Sequence, residues 1–447
     1  MMEQKRCSGI IPEGGKKRFM KHPCSAFRRT PDRRTLNYIC TMLLMFFGFI
    51  LSSCGDKPER AVLWTDRPEF AFYAEFFNAS QSLYKVEVLY YESPAQRLTE
   101  TNEYPDIVAS GWLGSASTRA LFRPLDNLLK EGLDVSSFYS RLLSLGSIDG
   151  KQYLLPVSFN IPAMVFSRDL IQPLSNPFII EMEEIKELSA AYNISANNIY
   201  TRMGFSVSSN DDFLYIAANL FGASFREASP LAWNSNALEN AITWIQTWIS
   251  EANTSIQMED DFAYKYFYDP PDRLVTSGRV LFIYMDSSGF FTLPEEKQSN
   301  LDFRWLAVNE MIPLHELSIY YGIHRRTKSV KAAEAFTLWF FSEDTQRLLL
   351  EEGKHRRLNE TLFGIGGGFS AMRTVTEQVF PLFYHGLLGR MPPENYLSPG
   401  NILPRNWMSL KERAILPYLR ELVRYPDRDE IRSLERRITE WSRLNRL

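Results

Sequence analysis

Few residue pairs in this sequence are spaced for bond-making chemistry. His315-Glu316 opens like the His-Glu-x-x-His helix of zinc proteases, in which two histidines one turn apart grip the ion, but Ile319 stands where the second histidine must be. The glycine-rich stretch FGIGGGF from Phe363 lacks the Lys-Ser/Thr of a phosphate loop and follows no clear strand, so it reads as a flexible turn between helices. No Gly-x-Ser-x-Gly elbow surrounds any serine. His315, His324, His355 and His385 are scattered without close pairing, and no acid/base pair suited to an enzyme emerges. The sequence points away from catalysis, and neither a cofactor nor a metal is expected.

Binding chemistry is better provided for. A site for a neutral polyol or sugar needs aromatic faces for the apolar ring surface and planar hydrogen-bonding groups for the hydroxyls, and strand ends can supply both. Trp64, Thr65 and Asp66 close a first apolar strand; Asp66 either accepts from a hydroxyl or caps the helix that follows. Ser110, Gly111 and Trp112 close a third strand, where Trp112 either stacks on a ring or fills the protein interior. Met285, Asp286 and Ser287 end the run VLFIYM, and Asp286 is either a ligand acceptor or the cap of the next turn. Tyr320 and Tyr321 precede Gly322 in an extended segment, so one faces the ligand while its neighbour packs inward. Trp233 reads as packing at the base of its helix.

The elements that must position these residues alternate between strand and helix. Ala61–Trp64 (AVLW) is a compact strand, and TDRPEFAFYAEFF starts a helix with Asp66 as N-cap and Pro68 in the first turn, placing Phe70, Ala74 and Phe77 on one face. Val86–Tyr91 and Tyr104–Ser110 are further strands. This βαβ spacing implies a parallel sheet with right-handed crossovers. The turn Asp149-Gly150 separates two extended segments. Trp233–Ile249 is the clearest helix, capped by Asn234 or Ser235 and burying Leu238, Ala241, Ile242, Ile245, Trp248 and Ile249. Val280–Met285 reads as a buried strand, and Ser329–Glu352 as two helices broken near Ser342. The last sixty residues are helical and charged, with prolines marking loops.

Of the 447 residues, 45% are hydrophobic and 14% aromatic, enough for two or three domains with substantial cores. Residues 1–53 hold ten Lys and Arg against three Asp and Glu, leaving 40 basic and 50 acidic residues beyond. An acidic body argues against nucleic-acid binding. Tyr38–Leu51 is an uncharged run of 14 residues, whose helix would rise about 21 Å and fall short of a roughly 30 Å hydrocarbon layer. It reads as a signal-peptide core. Ser52-Ser53 then leads into Cys54, which resembles the lipobox of bacterial lipoproteins, where the cysteine thiol receives a diacylglycerol thioether before cleavage at its amino side. The other cysteines, Cys7, Cys24 and Cys40, would leave with the leader, which excludes disulfides and thiolate metal sites from the body.

The order of segments is more specific than any one of them. YPDIVAS with Gly111-Trp112, FRPLDNLL from Phe122, DGKQYLLPVSFNIPAMVFSRDL from Asp149, GFSVSSNDDF from Gly204, LFGASF from Leu220, SGRVLFIYMDSSG from Ser277 and YYGIHRRTKSVKAAEAFTLWF from Tyr320 run in the order found in the family 1 extracellular solute-binding proteins of ABC importers, which the chain resembles from about 60 to 355. The resemblance implies an α/β, two-lobed periplasmic-binding-protein fold of type II, with hinge-linked lobes closing on a central cleft. The implied division is 1–53 as a removed lipoprotein-type signal peptide, 54–60 as a lipidated tether, 59–158 plus 322–352 as lobe 1, and 159–321 plus 353–447 as lobe 2. LPVSF and SIYYG are then the candidate hinges. It further implies ligand contacts at Ser110 and Trp112, a polar contact at Asn160 and an aromatic wall at Trp407, and Ser287 at the end of VLFIYM joins Asp286 as a candidate ligand contact. The expected role is a lipid-anchored monomer outside the bacterial cytoplasmic membrane. It would capture a small polar solute, with a sugar or oligosaccharide preferred, and deliver it to ABC permease subunits. The basic runs His324-Arg325-Arg326 and His355-Arg356-Arg357 read as solvated faces, with permease contact as the other option. A surface lipoprotein that keeps the fold as a sensor or adhesin is the alternative function, which the absence of neighbouring permease genes would favour.

Overall fold

Ten strands and eight helices set the frame of the computed structural model, which describes residues 57–169, 174–197, 199–425 and 431–445. The expected leader and Cys54 lie outside the described residues. The strands are β1 (Glu59–Thr65), β2 (Tyr84–Tyr90), β3 (Ile107–Ser110), β4 (Leu155–Phe159), β5 (Pro162–Ser167), β6 (Ile179–Glu181), β7 (Ile283–Asp286), β8 (Leu301–Ala307), β9 (Ile319–Ile323) and β10 (Phe369–Ser370). The helices that bear on the site are α1 (Glu69–Ser80), α2 (Asp211–Leu220), α3 (Ser235–Ala252), α4 (Val330–Phe340), α5 (Glu343–His355), α6 (Trp407–Leu410), α7 (Leu416–Arg424) and α8 (Leu434–Leu444), with further helices, Met182–Tyr192 and Ile256–Lys265 among them, and short strands between.

Two sheets define two lobes. The first has the order β10-β4-β9-β3-β1-β2, with β1 parallel to both β2 and β3, as the strand–helix–strand spacing requires. The second has the order β7-β5-β8-β6. On the first sheet, Phe70, Tyr73 and Phe77 of α1 meet Phe336 and Phe340 of α4, with ring centroids 5.2–5.5 Å apart. On the second, α2, α3 and α6 to α8 bury one continuous cluster around Phe213, Trp248 and Trp407. Asn234 caps α3 by accepting from the Ala237 amide at 3.2 Å, and the expected apolar stripe is buried. Ser342 separates α4 from α5 and caps the latter.

The chain passes directly from β4 in one sheet to β5 in the other through Asn160 and Ile161, and it returns from β8 to β9. The third passage falls later than the expected boundary at 352/353. Phe369 and Ser370 pair antiparallel with Phe159 and Ser158, so part of the segment 353–447 belongs to the first sheet rather than wholly to the second lobe. The glycine-rich stretch that leads into it is a hinge staple, not a loose turn between helices. Ser158 Oγ donates to Gly366 O at 3.0 Å, Asn160 Nδ2 donates to Gly367 O at 2.9 Å, and the Gly366 amide donates to Tyr73 Oη at 3.0 Å. Gly364, Gly366 and Gly367 all have φ between 57° and 79°, a left-handed run that side chains would strain.

Four smaller corrections follow from local chemistry. β1 begins at Glu59, at the expected start of lobe 1, and so takes the last two residues of the stretch also assigned to the tether. α1 begins at Glu69 after Pro68 with no side-chain cap, so Asp66 is not its N-cap. The VLFIYM strand is shifted to Ile283–Asp286, because Val280 bridges Met203 instead of joining the sheet. His324 is fully buried and stacks on Tyr104, with Arg326 over the same ring, so that run is not simply a solvated face.

Candidate functional site

Two cavities lie between the lobes, and Trp112 borders both. The first, of about 540 Å³, takes Trp112, Gly114 and Leu145 from one lobe and Tyr215, Asn219 and Phe225 from the other. Its remaining wall is the return passage, Val308 to Tyr320, together with the loop from Ser398 to Leu403. A short parallel pairing of Ile312–Pro313 with Leu397–Ser398 brings that loop to the cavity. The second, of about 460 Å³, is lined by Asp66, Arg67, Ser110, Arg405, Glu412 and Arg413 among others. Both volumes suit a small organic ligand.

Trp112 is placed by its backbone. Gly111 approaches the return passage so closely that a Cβ there would sit 2.5 Å from Leu317 Cδ1, and Trp112 itself turns into the left-handed region at φ 62°. A bulky residue adopts that conformation only where surrounding contacts impose it. The half-buried indole packs against apolar clusters of both lobes. Near it, the Glu227 carboxylate accepts from the Ala116 amide at 2.7 Å, and Arg405 donates to Ser117 Oγ at 3.1 Å. These polar contacts tie the lobes on the side of the cavities.

The other expected residues divide. Tyr320 borders the first cavity, donates its hydroxyl to Leu142 O at 3.0 Å, and has its phenol pKa pushed up by burial. Tyr321 points the other way and bonds Thr337 Oγ1 at 2.8 Å, the alternation a strand demands. Asp66 and Ser110 border the second cavity. Burial raises the Asp66 pKa against the opposing pull of Arg67, whose Nε lies 3.4 Å from Oδ1, and of the Ser110 hydroxyl and Gly111 amide. Neither Asp66 Oδ1 nor Arg67 Nε has a hydrogen-bond partner.

Five expectations place their residue away from either cavity lining. Trp64 is 3% exposed, edge-packed on Tyr91 at 4.9 Å, and lines neither cavity. Asn160 and Ser287 satisfy each other: Ser287 Oγ donates to Asn160 Oδ1 at 2.6 Å and accepts from the Ile161 amide at 3.1 Å, which fastens the first passage between lobes. Asp286 caps the short helix Ser287–Phe291 by accepting from Gly289 N at 2.7 Å. Trp407 is fully buried behind Tyr215 and Phe225, with centroids 6.0 and 5.9 Å away, so it supports the wall rather than forming it.

Residues absent from the sequence reading fill the gap. Tyr215 and Asn219, one turn apart on α2, face the first cavity with Phe225, Asn309, Ser318 and Asn401. The i,i+4 spacing of Tyr215 and Asn219 was the one signal available. His315 and Glu316 also line this wall. Glu316 is 6% exposed in its side chain and pairs with Lys411 Nζ at 2.5 Å; Lys411 in turn meets Asp212 at 3.0 Å and lies over the Tyr215 ring at 4.4 Å. Burial works against ionisation of Glu316, but His315 and Lys411 outweigh it and hold the pKa below its ordinary value. Lys411 opens a π-helical turn (Lys411–Ile415) just before Pro417, which has no amide to donate to a regular ladder. Among the described residues, no group of three His, Cys, Asp or Glu side chains could hold a metal ion, and no helix is long and apolar enough to cross a membrane.

The comparisons agree with this geometry. Solved structures similar to the chain include CpMnBP1 with mannotriose bound, at 14% identity over 85% of this chain and 98% of that one with a TM-score of 0.57. The sugar-binding protein MalE of Xanthomonas citri aligns at 11% identity over 86% and 96%, with a TM-score of 0.59. An ABC substrate-binding protein of Listeria monocytogenes in complex with cycloalternan aligns at 13% identity over 86% and 97%, with a TM-score of 0.55. At these identities the likeness establishes the two-lobed binding-protein fold. No curated protein sequence matches. The family model for bacterial extracellular solute-binding proteins matches residues 72–355, and the chain belongs to that family, which binds solutes outside the cytoplasm and is not one of enzymes.

Proposed function

We propose that this protein is the lipid-anchored solute-binding component of an ABC importer, that its solute is a sugar or oligosaccharide, and that it delivers the solute to permease subunits. The observation that carries the ligand class is the first cavity's wall. Trp112, Tyr215, Phe225 and Tyr320 offer aromatic surface, Asn219, Asn309, Ser318 and Asn401 offer neutral hydrogen-bonding groups, and the one carboxylate, Glu316, is neutralised by Lys411. Such a wall suits a neutral ring with hydroxyls at its edge and disfavours a strongly charged solute. Relatives of the same fold solved with mannotriose or cycloalternan support this choice. The mechanism is capture in an open cleft followed by closure. The Glu227–Ala116 and Arg405–Ser117 contacts between lobes are stabilising terms of the closed form, which a ligand touching both walls favours further. The anchor rests on the lipobox-like Leu51–Cys54 alone.

Calorimetry with mannotriose, maltotetraose, D-mannitol, a polyamine and a polyol phosphate tests the reading. A sugar or sugar alcohol is expected to bind and to raise the melting temperature. Binding confined to spermidine or glycerol phosphate refutes the ligand class.

A further inference from the structure

His315 and Glu316 fail as the start of a metal-binding helix, yet both line the first cavity. Glu316 is held by one oxygen only. Its Oε1 accepts from Lys411, while Oε2 is buried without a hydrogen-bond partner. Native structures leave few buried acceptors unmatched, and those they leave call for a partner that comes and goes. In the neighbouring ring, His315 Nε2 stands 3.6 Å from Glu316 Oε2, beyond direct bonding distance. His315 Nδ1 already accepts from the Leu317 amide at 3.2 Å, so in the neutral ring the proton sits on Nε2. Two residues that line the same cavity therefore hold an N–H and a carboxylate oxygen 3.6 Å apart without bonding each other.

The chemistry of a group that fits between them is narrow. It must donate to Oε2 and accept from Nε2–H at once. A hydroxyl does both; a ligand carboxylate is repelled by Oε2, and an ammonium has no lone pair for the histidine. The surrounding groups hold the fork in place. Lys411 fixes the carboxylate, and Asp212 and the Tyr215 ring fix Lys411.

We propose that His315 and Glu316 together are the specificity-determining pair of the first cavity, gripping a single hydroxyl of the bound sugar as donor and acceptor. This rests on the carbohydrate reading above. The experiment compares mannotriose, maltotetraose and D-mannitol on the wild type by calorimetry, then repeats the tightest of them and its monodeoxy analogues on Glu316→Gln and His315→Phe. Each substitution is expected to weaken the parent sugar by about tenfold or more. The diagnostic result is coupling: one monodeoxy analogue loses affinity on the wild type but loses no more on either variant. A merely structural role for Glu316 would weaken every analogue by the same further factor. That additive pattern, or an unchanged affinity of both variants for the parent sugar, overturns the proposal while leaving the carbohydrate reading intact. His315→Phe removes no member of the buried ion pair and carries the same comparison if Glu316→Gln is poorly folded. Failure of all three probes to bind the wild type overturns both readings together.

Discussion

Replacing Trp112 by glycine and by alanine separates two effects that act with opposite sign on stability. Removing a fully buried tryptophan costs about 3–5 kcal/mol, and the half-buried indole of Trp112 puts its loss nearer about 2 kcal/mol. Its φ of 62° holds a conformation that disfavours a side-chain-bearing residue by about 1–2 kcal/mol. Alanine loses the packing and keeps that strain; glycine loses the same packing and is freed of it. At an ordinary position glycine is the less stable of the two by roughly 0.5–1 kcal/mol. Here the order is expected to invert, with Trp112→Gly more stable than Trp112→Ala by about 1 kcal/mol in urea titrations read by circular dichroism. Both variants are expected to lose sugar affinity alike, by roughly tenfold, since both lack the aromatic face. Alanine equal to or more stable than glycine would refute the left-handed placement. Unchanged sugar affinity in both would refute Trp112 as part of the binding wall.

Glu227→Ala removes the carboxylate that accepts from the Ala116 amide across the lobes; at a contact near solvent this is worth about 1 kcal/mol, so the closed-to-open ratio should fall about fivefold and the unliganded radius of gyration in X-ray scattering should rise. Glu259 is buried under Ser208 and Asn253, and burial raises its pKa from 4.5 against those hydrogen bonds. Its folded value exceeds its unfolded one, so its favourable contribution is complete below about pH 4.5 and is lost as pH rises through the folded value. The stability of the wild type relative to Glu259→Gln should therefore decline between pH 4 and pH 8 in urea midpoints, and a flat difference would contradict it. Cys54→Ala should abolish incorporation of radiolabelled palmitate and release the protein from membranes; continued labelling would place the anchor elsewhere.

Much of the frame could be read from periodicity. The stripe of α3, the break at Ser342 and the opposite facing of Tyr320 and Tyr321 each follow from one local period and one cap. The site was less legible because its walls come from places that no local pattern joins. Tyr215, His315 and Asn401 are brought together by α2, the return passage and a short strand pairing that starts at Ile312. Trp64 misled for a different reason. The end of β1 is buried on both faces, so its residues show no in–out alternation from which to choose the side facing the ligand. Asn160 and Ser287 misled because a polar residue near a strand end looks the same whether it awaits a ligand or bonds a side chain 127 positions away.

The two-residue strand β10 sets where this protein can be cut. The family match ends at residue 355, which invites that position as a boundary. A chain shortened there would lack Phe369 and Ser370, and β4, whose five residues are all buried, would become an open edge. An exposed apolar edge of that kind recruits strands from other chains. The shortened protein is then expected to self-associate through Leu155–Phe159, so the last fifth of the chain supplies the cover over the edge of the first sheet.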